Sequence, residues 1–291
     1  MSAPLHKVGK VGKVGKVGTA LALAVLAVTG PARAVSFSAF TFDTQASTSG
    51  LYGGVNGTWG NGDVRLDGVS VGGQSYTQAQ LQTVSSASIV LDDGIDLARG
   101  GGNFAAGRGV NSVADPWASE GAATVTPSSA DLRSALANFN LTGLVVTREN
   151  VGTAILDVGF ATPTNTFFFY ERGFNSDLLV QALNEQGQVI GSYTILRASY
   201  VPTGVLVSTD NAAFVIAGQE LGAIGLQSDE AVGRLRLSSY RTDLLNFNGP
   251  DYKVLALAPV AAPVPEPESY ALMLAGLGAV GFVARRRRQA G

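Results

Sequence analysis

The chain has 291 residues and a formal net charge of −2 at pH 7, with no cysteine and one histidine, His6. Disulfide bonds are therefore excluded, and the chain after His6 cannot form a Cys/His zinc site or a Ser–His–Asp triad. A domain of this size without disulfides must be stabilised by burial of a large core.

The first 34 residues have the composition of a secretory signal peptide. Four lysines recur from Lys7 to Lys16, and an uncharged, mostly apolar run follows at residues 19–28. Ala32 and Ala34 then place small side chains at the two positions that signal peptidase reads, so we expect cleavage after Ala34. A basic arm for nucleic acid is the alternative for the lysine repeat, but the apolar run behind it favours the signal.

The charge of the chain changes once its two ends are set aside. Residues 35–265 keep 20 acidic and 11 basic side chains, a net charge near −9. This composition predicts an acidic exported body and argues against binding of nucleic acid through bulk charge.

The first part of the body, residues 35–140, is a glycine-rich β region. Residues 37–42 alternate with period two, as a half-buried strand does. Recurring glycines over residues 51–73 predict turns between brief strands, and residues 94–109 are predicted to form a long surface loop. Ser129 is expected to cap a short helix that ends near Asn138.

The second part, residues 141–258, is more regularly patterned. Short apolar runs predict strands at residues 144–147, 154–160, 166–171, 178–183, 188–196, 205–208, 213–217, 234–238 and 252–257. Gly187 should take a left-handed conformation in a four-residue hairpin loop. Many short strands with evenly spaced turns predict an all-β fold, an antiparallel, jelly-roll-like β-sandwich that includes residues 35–140.

Three segments of this part, residues 167–178, 180–191 and 247–253, resemble an exosortase-dependent surface protein family. The resemblance covers about residues 140–258. It implies a secreted β-rich domain and no established chemistry.

Three carboxylates, Asp92, Asp93 and Asp96, fall within five residues before a glycine-rich stretch. Oxygen ligands at this spacing suit Ca²⁺, although the later glutamate of an EF-hand loop is missing. A solvated turn between strands explains the pattern equally well. Calcium is the one cofactor that the sequence suggests.

A polar cluster follows the most apolar strand: Glu171, Arg172, Asn175 and Asp177. Two carboxylates and an arginine could grip sugar hydroxyls or act as a glycosidase pair. The alternative, which is the more common use of such residues, is that Arg172 pairs internally with Glu171 or Asp177 while Asn175 shapes the turn.

Trp59 and Trp117 lie in segments rich in glycine or proline. Exposed aromatic rings on loops stack against sugar rings, so both are candidate ligand-binding residues. Packing in the core is the more frequent use of tryptophan.

The tail begins with a proline-rich linker, residues 259–267. Residues 269–284 carry no charge and would form a helix of roughly 24 Å, short of the ~30 Å hydrocarbon core, although long arginine side chains reach the interface. The positive-inside rule keeps the four arginines that follow in the cytoplasm. We therefore predict a short transmembrane helix with the body outside the inner membrane; a permanent anchor is the alternative.

Residues 264–288 resemble the PEP-CTERM sorting signal of Gram-negative bacteria. The parts that carry the resemblance are Pro265, Glu266 and Pro267, the apolar run, and Arg285, Arg286, Arg287 and Arg288. The resemblance implies recognition by an exosortase, removal of the tail near Pro-Glu-Pro, and delivery to the cell surface or its polysaccharide matrix. No Leu-Pro-x-Thr-Gly sequence precedes the apolar run, which argues against the sortase route.

The sequence thus favours a non-enzymatic surface or matrix protein associated with exopolysaccharide or a biofilm. Its processing partners would be signal peptidase and an exosortase, with transient insertion in the inner membrane. The alternatives are a secreted carbohydrate-binding module, or a glycan hydrolase that uses paired carboxylates.

Overall fold

The computed structural model describes most of the body and short pieces of the tail. The described residues are 34–48, 63–93, 104–109, 123–147, 152–210, 215–240, 249–259, 272–277, 279–280 and 285–286. The chain divides into a unit of residues 1–32 and a unit of residues 33–291, and every described residue belongs to the second.

The described part consists almost entirely of antiparallel strands, which confirms the predicted all-β class. The strands are β1 (Phe37–Phe40), β2 (Asp43–Thr48), β3 (Val64–Val71), β4 (Gln74–Thr77), β5 (Leu81–Gln82), β6 (Val84–Asp93), β7 (Phe104–Gly109), β8 (Leu144–Thr147), β9 (Thr153–Arg172), β10 (Leu178–Leu183), β11 (Val189–Ile195), β12 (Val201–Asp210), β13 (Val215–Tyr240) and β14 (Asp251–Leu257). Helix α1 spans Ser129–Leu136, and single 3₁₀ turns occupy Gln78–Gln80 and Arg197–Ser199.

Among the described residues, eleven strands share one sheet, with the order β11-β10-β13-β12-β7-β8-β14-β9-β6 and with β1 on β13 and β5 on β14. Strands β2, β3 and β4 form a second, smaller sheet. The two longest strands, β9 and β13, pair along nearly their whole length, from Arg172 opposite Leu221 to Thr153 opposite Tyr240. Five of the nine other described strands in the large sheet pair directly with β9 or β13.

The long pair bends in the middle. Phe160 and Phe167 would lie ~23 Å apart along an extended strand, but their ring centroids are 5.5 Å apart, so β9 must fold back on itself. The residues that face the core also change from even to odd numbers. Val158 and Phe160 face the core before the bend, whereas Phe167 and Phe169 face it after the bend. Irregular register at the bend supplies the odd number of residues that this change requires.

The bend brings two groups of strands over one main core. Before it, residues 153–160 of β9 pair with β6, and residues 234–238 of β13 pair with β10. Beyond it, residues 167–171 of β9 pair with β14, and residues 215–223 of β13 pair with β12. Apolar side chains from both groups belong to the same buried cluster.

A second core lies on the opposite face of β9. Phe168 and Tyr170 point away from the main core and contact Phe42, with centroid separations of 4.9 and 5.6 Å in edge-to-face geometry. Leu66 and Val69 of β3 belong to the same cluster. The run Phe167–Tyr170 is uninterruptedly apolar because this half of β9 is buried on both faces.

Helix α1 closes one side of the main core. Its cap is Ser128, one residue before the predicted Ser129, because Asp131 stands three residues after Ser128 and completes a capping box. The Asp131 carboxylate accepts the Ser128 amide at 2.8 Å, and the Ser128 hydroxyl accepts the Asp131 amide at 3.3 Å. Leu132 and Leu136 enter the core.

Lys253 joins the end of this helix to β14. It is the single lysine after the leader, and its side chain is fully buried. Its ammonium group donates to the carbonyl oxygens of Ala135 and Gly143 at 2.9 and 3.0 Å and to Oδ1 of Asn138 at 3.0 Å. A cation at a helix C-terminus is favoured by the helix dipole, and these acceptors offset its loss of hydration.

Several predicted boundaries are wrong. The predicted loop 94–109 contains strand β7 at its end, because Phe104 and Ala106 are buried and pair with β8. The predicted strands 154–160 and 166–171 are one strand, since irregular pairing carries β9 through its bend. The predicted left-handed conformation of Gly187 is confirmed by its φ of 78°.

Replacing Lys253 by methionine should lower the free energy of unfolding by about 2–4 kcal/mol, because two buried carbonyl oxygens lose their donor. Urea unfolding measures this loss. Arg133→Met, at an exposed basic residue of helix α1, is the matched control and should change stability by about 0.5 kcal/mol or less. Equal effects of the two substitutions would contradict the structural role given to Lys253.

Candidate functional site

The polar cluster predicted after the most apolar strand lies at the end of β9, where consecutive residues face opposite sides of the sheet. The side chain of Glu171 points to the same side of β9 as Phe169, toward the main core. Glu171 lies opposite Gly222 of β13 and Tyr252 of β14. Arg172 therefore points to the other face. Both side chains are buried.

Glu171 is held by backbone donors at the edge of the main core. Its Oε2 accepts the Asn175 amide at 3.2 Å, and its Oε1 accepts the Asp251 amide at 3.5 Å. Burial, and then the nearby charge of Asp251, raise the pKa of Glu171 to about 9. The carboxyl group is therefore mainly protonated at neutral pH.

Arg172 forms its ion pair with Asp251. The alternative of internal pairing predicted Glu171 or Asp177 as the partner, and that choice of partner is wrong. The reason is register: Tyr252 lies opposite Glu171, so Asp251 lies beside Arg172 on the neighbouring strand. The Arg172 side chain is fully buried, and within the described residues its Nε and Nη1 make no hydrogen bond.

Asp177 binds the 3₁₀ turn Arg197–Ser199, which directly precedes the buried Tyr200. Its Oδ1 accepts the Arg197 amide at 2.6 Å and lies 3.5 Å from Nε of Arg197. Burial, followed by the charges of Glu171 and Asp177, raises the pKa of Tyr200. The hydroxyls of Tyr200 and Tyr252 are buried and make no hydrogen bond within the part of the chain described.

The turn after β9 depends on two residues with positive φ, Gly173 at 83° and Phe174 at 34°. Asn175 is exposed in this turn and accepts a hydrogen bond from the Ser176 hydroxyl at 2.8 Å. Asn175 is the exposed member of the four-residue cluster predicted from the sequence; the others are buried.

The cluster therefore does not present its charged groups to solvent. A glycosidase needs two carboxyl groups that face a substrate across an open cleft. Here the carboxyl groups of Glu171 and Asp177 are occupied by backbone amides or by Arg197, and Arg172 is occupied by Asp251. These contacts match an internal structural role.

Sequence reasoning missed three members of this cluster, Tyr200, Gly222 and Asp251. They lie 28 to 79 residues from Arg172. Strand pairing brings Gly222 and Asp251 to the cluster, and Tyr200 packs beside Gly222. The one local signal was Asp251 itself, an acidic residue at the start of an apolar strand.

Asp92 and Asp93 lie at the end of β6, not in the solvated turn that was the alternative to a metal site. Asp92 accepts the Phe104 amide at 3.2 Å and Asp93 the Thr153 amide at 2.7 Å. Adjacent strand residues face opposite sides, which separates the two carboxylates. Asp96 lies outside the described residues, among which no group of three metal-ligating side chains occurs.

Three further predicted site residues lie outside the described part of the chain: Ala32, Trp59 and Trp117.

The structure describes the residues that flank the predicted cleavage site. Ala34 is exposed, and the next residue, Val35, is buried and donates its backbone amide to the Ile190 carbonyl at 2.7 Å. The predicted cleavage site therefore directly precedes the first core residue of the body.

The tail is described only in pieces. Residues 272–277 are helical and exposed, as are Arg285 and Arg286. Pro265, Glu266 and Pro267 lie outside the described residues, as do Arg287 and Arg288. In the described residues, no helix combines the length and the apolar character needed to cross a membrane.

The comparison with known families bears on the tail. Residues 263–288 match the model of the PEP-CTERM protein-sorting motif, which confirms the resemblance predicted from the sequence. No curated protein and no solved structure matches the chain. The motif marks the chain for export, for processing by an exosortase, and for sorting toward the surface of a Gram-negative cell.

Gly222, opposite Glu171, gives a test of packing around this cluster. An added Cβ would lie 2.6 Å from Cβ of Phe174 and 2.8 Å from Cβ of Tyr200, so Gly222→Ala should cost about 1–3 kcal/mol of stability. Gly233→Ala on the same strand meets no atom closer than 3.5 Å and should stay within about 1 kcal/mol of the wild type. Denaturant midpoints compare the two, and a tolerated Gly222→Ala would contradict this close packing.

The raised pKa of Glu171 predicts a pH dependence of folding. Between pH 4.5, the ordinary pKa of glutamate, and about pH 9, the native state binds one proton more than the unfolded state. The free energy of unfolding should therefore fall as the pH rises through that window, by up to about 1.4 kcal/mol per pH unit. After the leader the chain has no histidine or cysteine, the two side chains whose ordinary pKa lies near the middle of this window.

Urea unfolding of the mature protein at pH 5.5, 7.0 and 8.5 measures this slope. Glu171→Gln, which is neutral at every pH, should flatten it. Glu185→Gln, at an exposed hairpin position, should keep the slope of the wild type. Parallel profiles for the wild type and Glu171→Gln would contradict the assignment.

Proposed function

On the premise that the tail is a sorting signal, we propose that this protein is a non-enzymatic component of the cell surface or extracellular matrix. Its β-rich body would associate with exopolysaccharide and contribute to a biofilm. The observation that carries the proposal is the sorting motif at residues 263–288. A protein that is released at the surface by an exosortase needs a body that acts there.

The tail supports a transient membrane stage. Signal peptidase removes residues 1–34, and the uncharged run 269–284 holds the chain in the inner membrane. The four arginines that follow keep the end of the chain in the cytoplasm. An exosortase then cuts near Pro265–Pro267, and the body leaves the membrane.

The body suits life outside the cell. The bent β9–β13 pair and the single main core between its halves support a jelly-roll-like β-sandwich. No cysteine is present, so the stability of the body does not depend on the redox state of its surroundings. Its net charge near −9 favours solubility in the matrix.

The non-enzymatic assignment rests on chemistry. After the leader the chain has no histidine or cysteine, which removes the usual nucleophile and base pairs. Glu171 and Asp177, the carboxylates considered for glycan hydrolysis, are buried, and both accept hydrogen bonds from backbone amides. The glycan hydrolase alternative therefore has the weaker support.

Replacing Pro265, Glu266 and Pro267 together by alanine tests the proposal in the native host. The wild type should be recovered from the surface or matrix fraction with the mass of a chain that has lost its tail. The triple variant should keep its tail and stay in the membrane fraction. Pro259→Ala, outside the matched motif, is the control and should behave as the wild type. Unchanged mass and location of the triple variant would refute exosortase sorting.

A further inference from the structure

A pocket opens at one edge of the second core, and residues of both sheets line it. Phe40 of β1 and Tyr76 of β4 belong to its lining and give it the name Phe40–Tyr76 pocket. Its volume is about 230 Å³, below the range of pockets that hold drug-sized ligands. A site of this size suits a single ring of a ligand.

The floor and walls of the pocket are apolar. Phe168 is fully buried in the second core, and Phe40, Val71, Tyr76 and Leu257 are each partly buried against that core. All five residues line the pocket. The pocket is therefore a place where the second core remains open to solvent.

The ring of Phe40 is fixed by its neighbours. Phe40 lies opposite Gly225 in the ladder between β1 and β13, and its ring covers that glycine so closely that an added Cβ would overlap the ring carbons. The ring also meets Phe168 edge to face, with a centroid separation of 6.0 Å. An aromatic surface that is held in place before a ligand binds lowers the entropic cost of binding.

Two polar groups in the lining offer hydrogen bonds that the protein does not use. Gln227 lies opposite Thr166 of β9 and Ser38 of β1, and it is exposed. Its side-chain amide makes no hydrogen bond to another described residue, and neither does the hydroxyl of Tyr76. The amide and the hydroxyl both donate and accept hydrogen bonds, so each can bind a ligand hydroxyl.

This combination matches the chemistry of a sugar ring. One face of a pyranose presents C–H groups that pack against aromatic rings, while its edge presents hydroxyls that donate and accept hydrogen bonds. A purely apolar ligand would make no use of the Gln227 amide or the Tyr76 hydroxyl. The described residues that line the pocket carry no charge, so recognition there does not depend on an ion pair.

We propose that the Phe40–Tyr76 pocket binds one sugar ring of a polysaccharide chain. This inference rests on the proposed function and specifies it: the body contacts exopolysaccharide at the open edge of its second core, through aromatic packing and the hydrogen bonds of Gln227 and Tyr76.

Calorimetry with the mature protein recovered from its host tests the proposal against neutral gluco-, galacto- and manno-oligosaccharides, with hexanol as an apolar probe. At least one sugar series should bind, and its affinity should be the same at about 0.05 and about 0.5 M NaCl, because salt screens only charge interactions. Gln227→Ala and Tyr76→Phe should each weaken that binding by about 3- to 10-fold, the effect of one lost hydrogen bond.

Gln186→Ala and Tyr193→Phe are the matched controls and should bind as the wild type. Gln186 is exposed in the hairpin loop, and Tyr193 is partly buried on β11, as Tyr76 is on β4; neither lines the pocket. Thermal unfolding of Gln227→Ala and Tyr76→Phe should match the wild type, because the deleted groups make no hydrogen bond within the described part of the chain.

Three results would overturn the inference. Sugar binding that survives both pocket substitutions would refute the site but leave the proposed matrix role standing. Binding of hexanol without any sugar, or no binding of any sugar series, would also refute it. The tail experiment measures mass and location, so it tests sorting independently of these results.

Discussion

The antiparallel pairing of β9 with β13 is the constraint on which the rest of this structure depends. Strands β1, β6, β10, β12 and β14 all pair with one of these two strands. Because the pair folds back at its middle, it places two groups of strands over one core. The other face of β9 is buried in a second core. A chain without disulfides acquires its stability from this burial on both faces.

Buried polar groups complete the edges of this arrangement. Glu171 is neutral where a charge would be costly, Arg172 is paired with Asp251, and the Lys253 ammonium group is enclosed by acceptors at the end of α1. Each group joins elements that are far apart in sequence, so each specifies strand register as well as contributing energy. The charged cluster that looks most functional in the sequence is thus part of the framework.

The sorting motif and the sheets occupy separate parts of the sequence. The described strands span residues 37–257, and the matched motif spans residues 263–288. A change in the motif therefore alters no residue of the two sheets.

The sequence by itself determined the features that local chemistry encodes: the sorting motif, the all-β class, and the left-handed Gly187 in its hairpin. Tertiary structure alone decided that β9 continues through its bend and that Arg172 pairs with Asp251, 79 residues away. The physical reason is that alternation reveals a strand and its buried face, but the partner and register of that strand are set by non-local hydrogen bonds and packing.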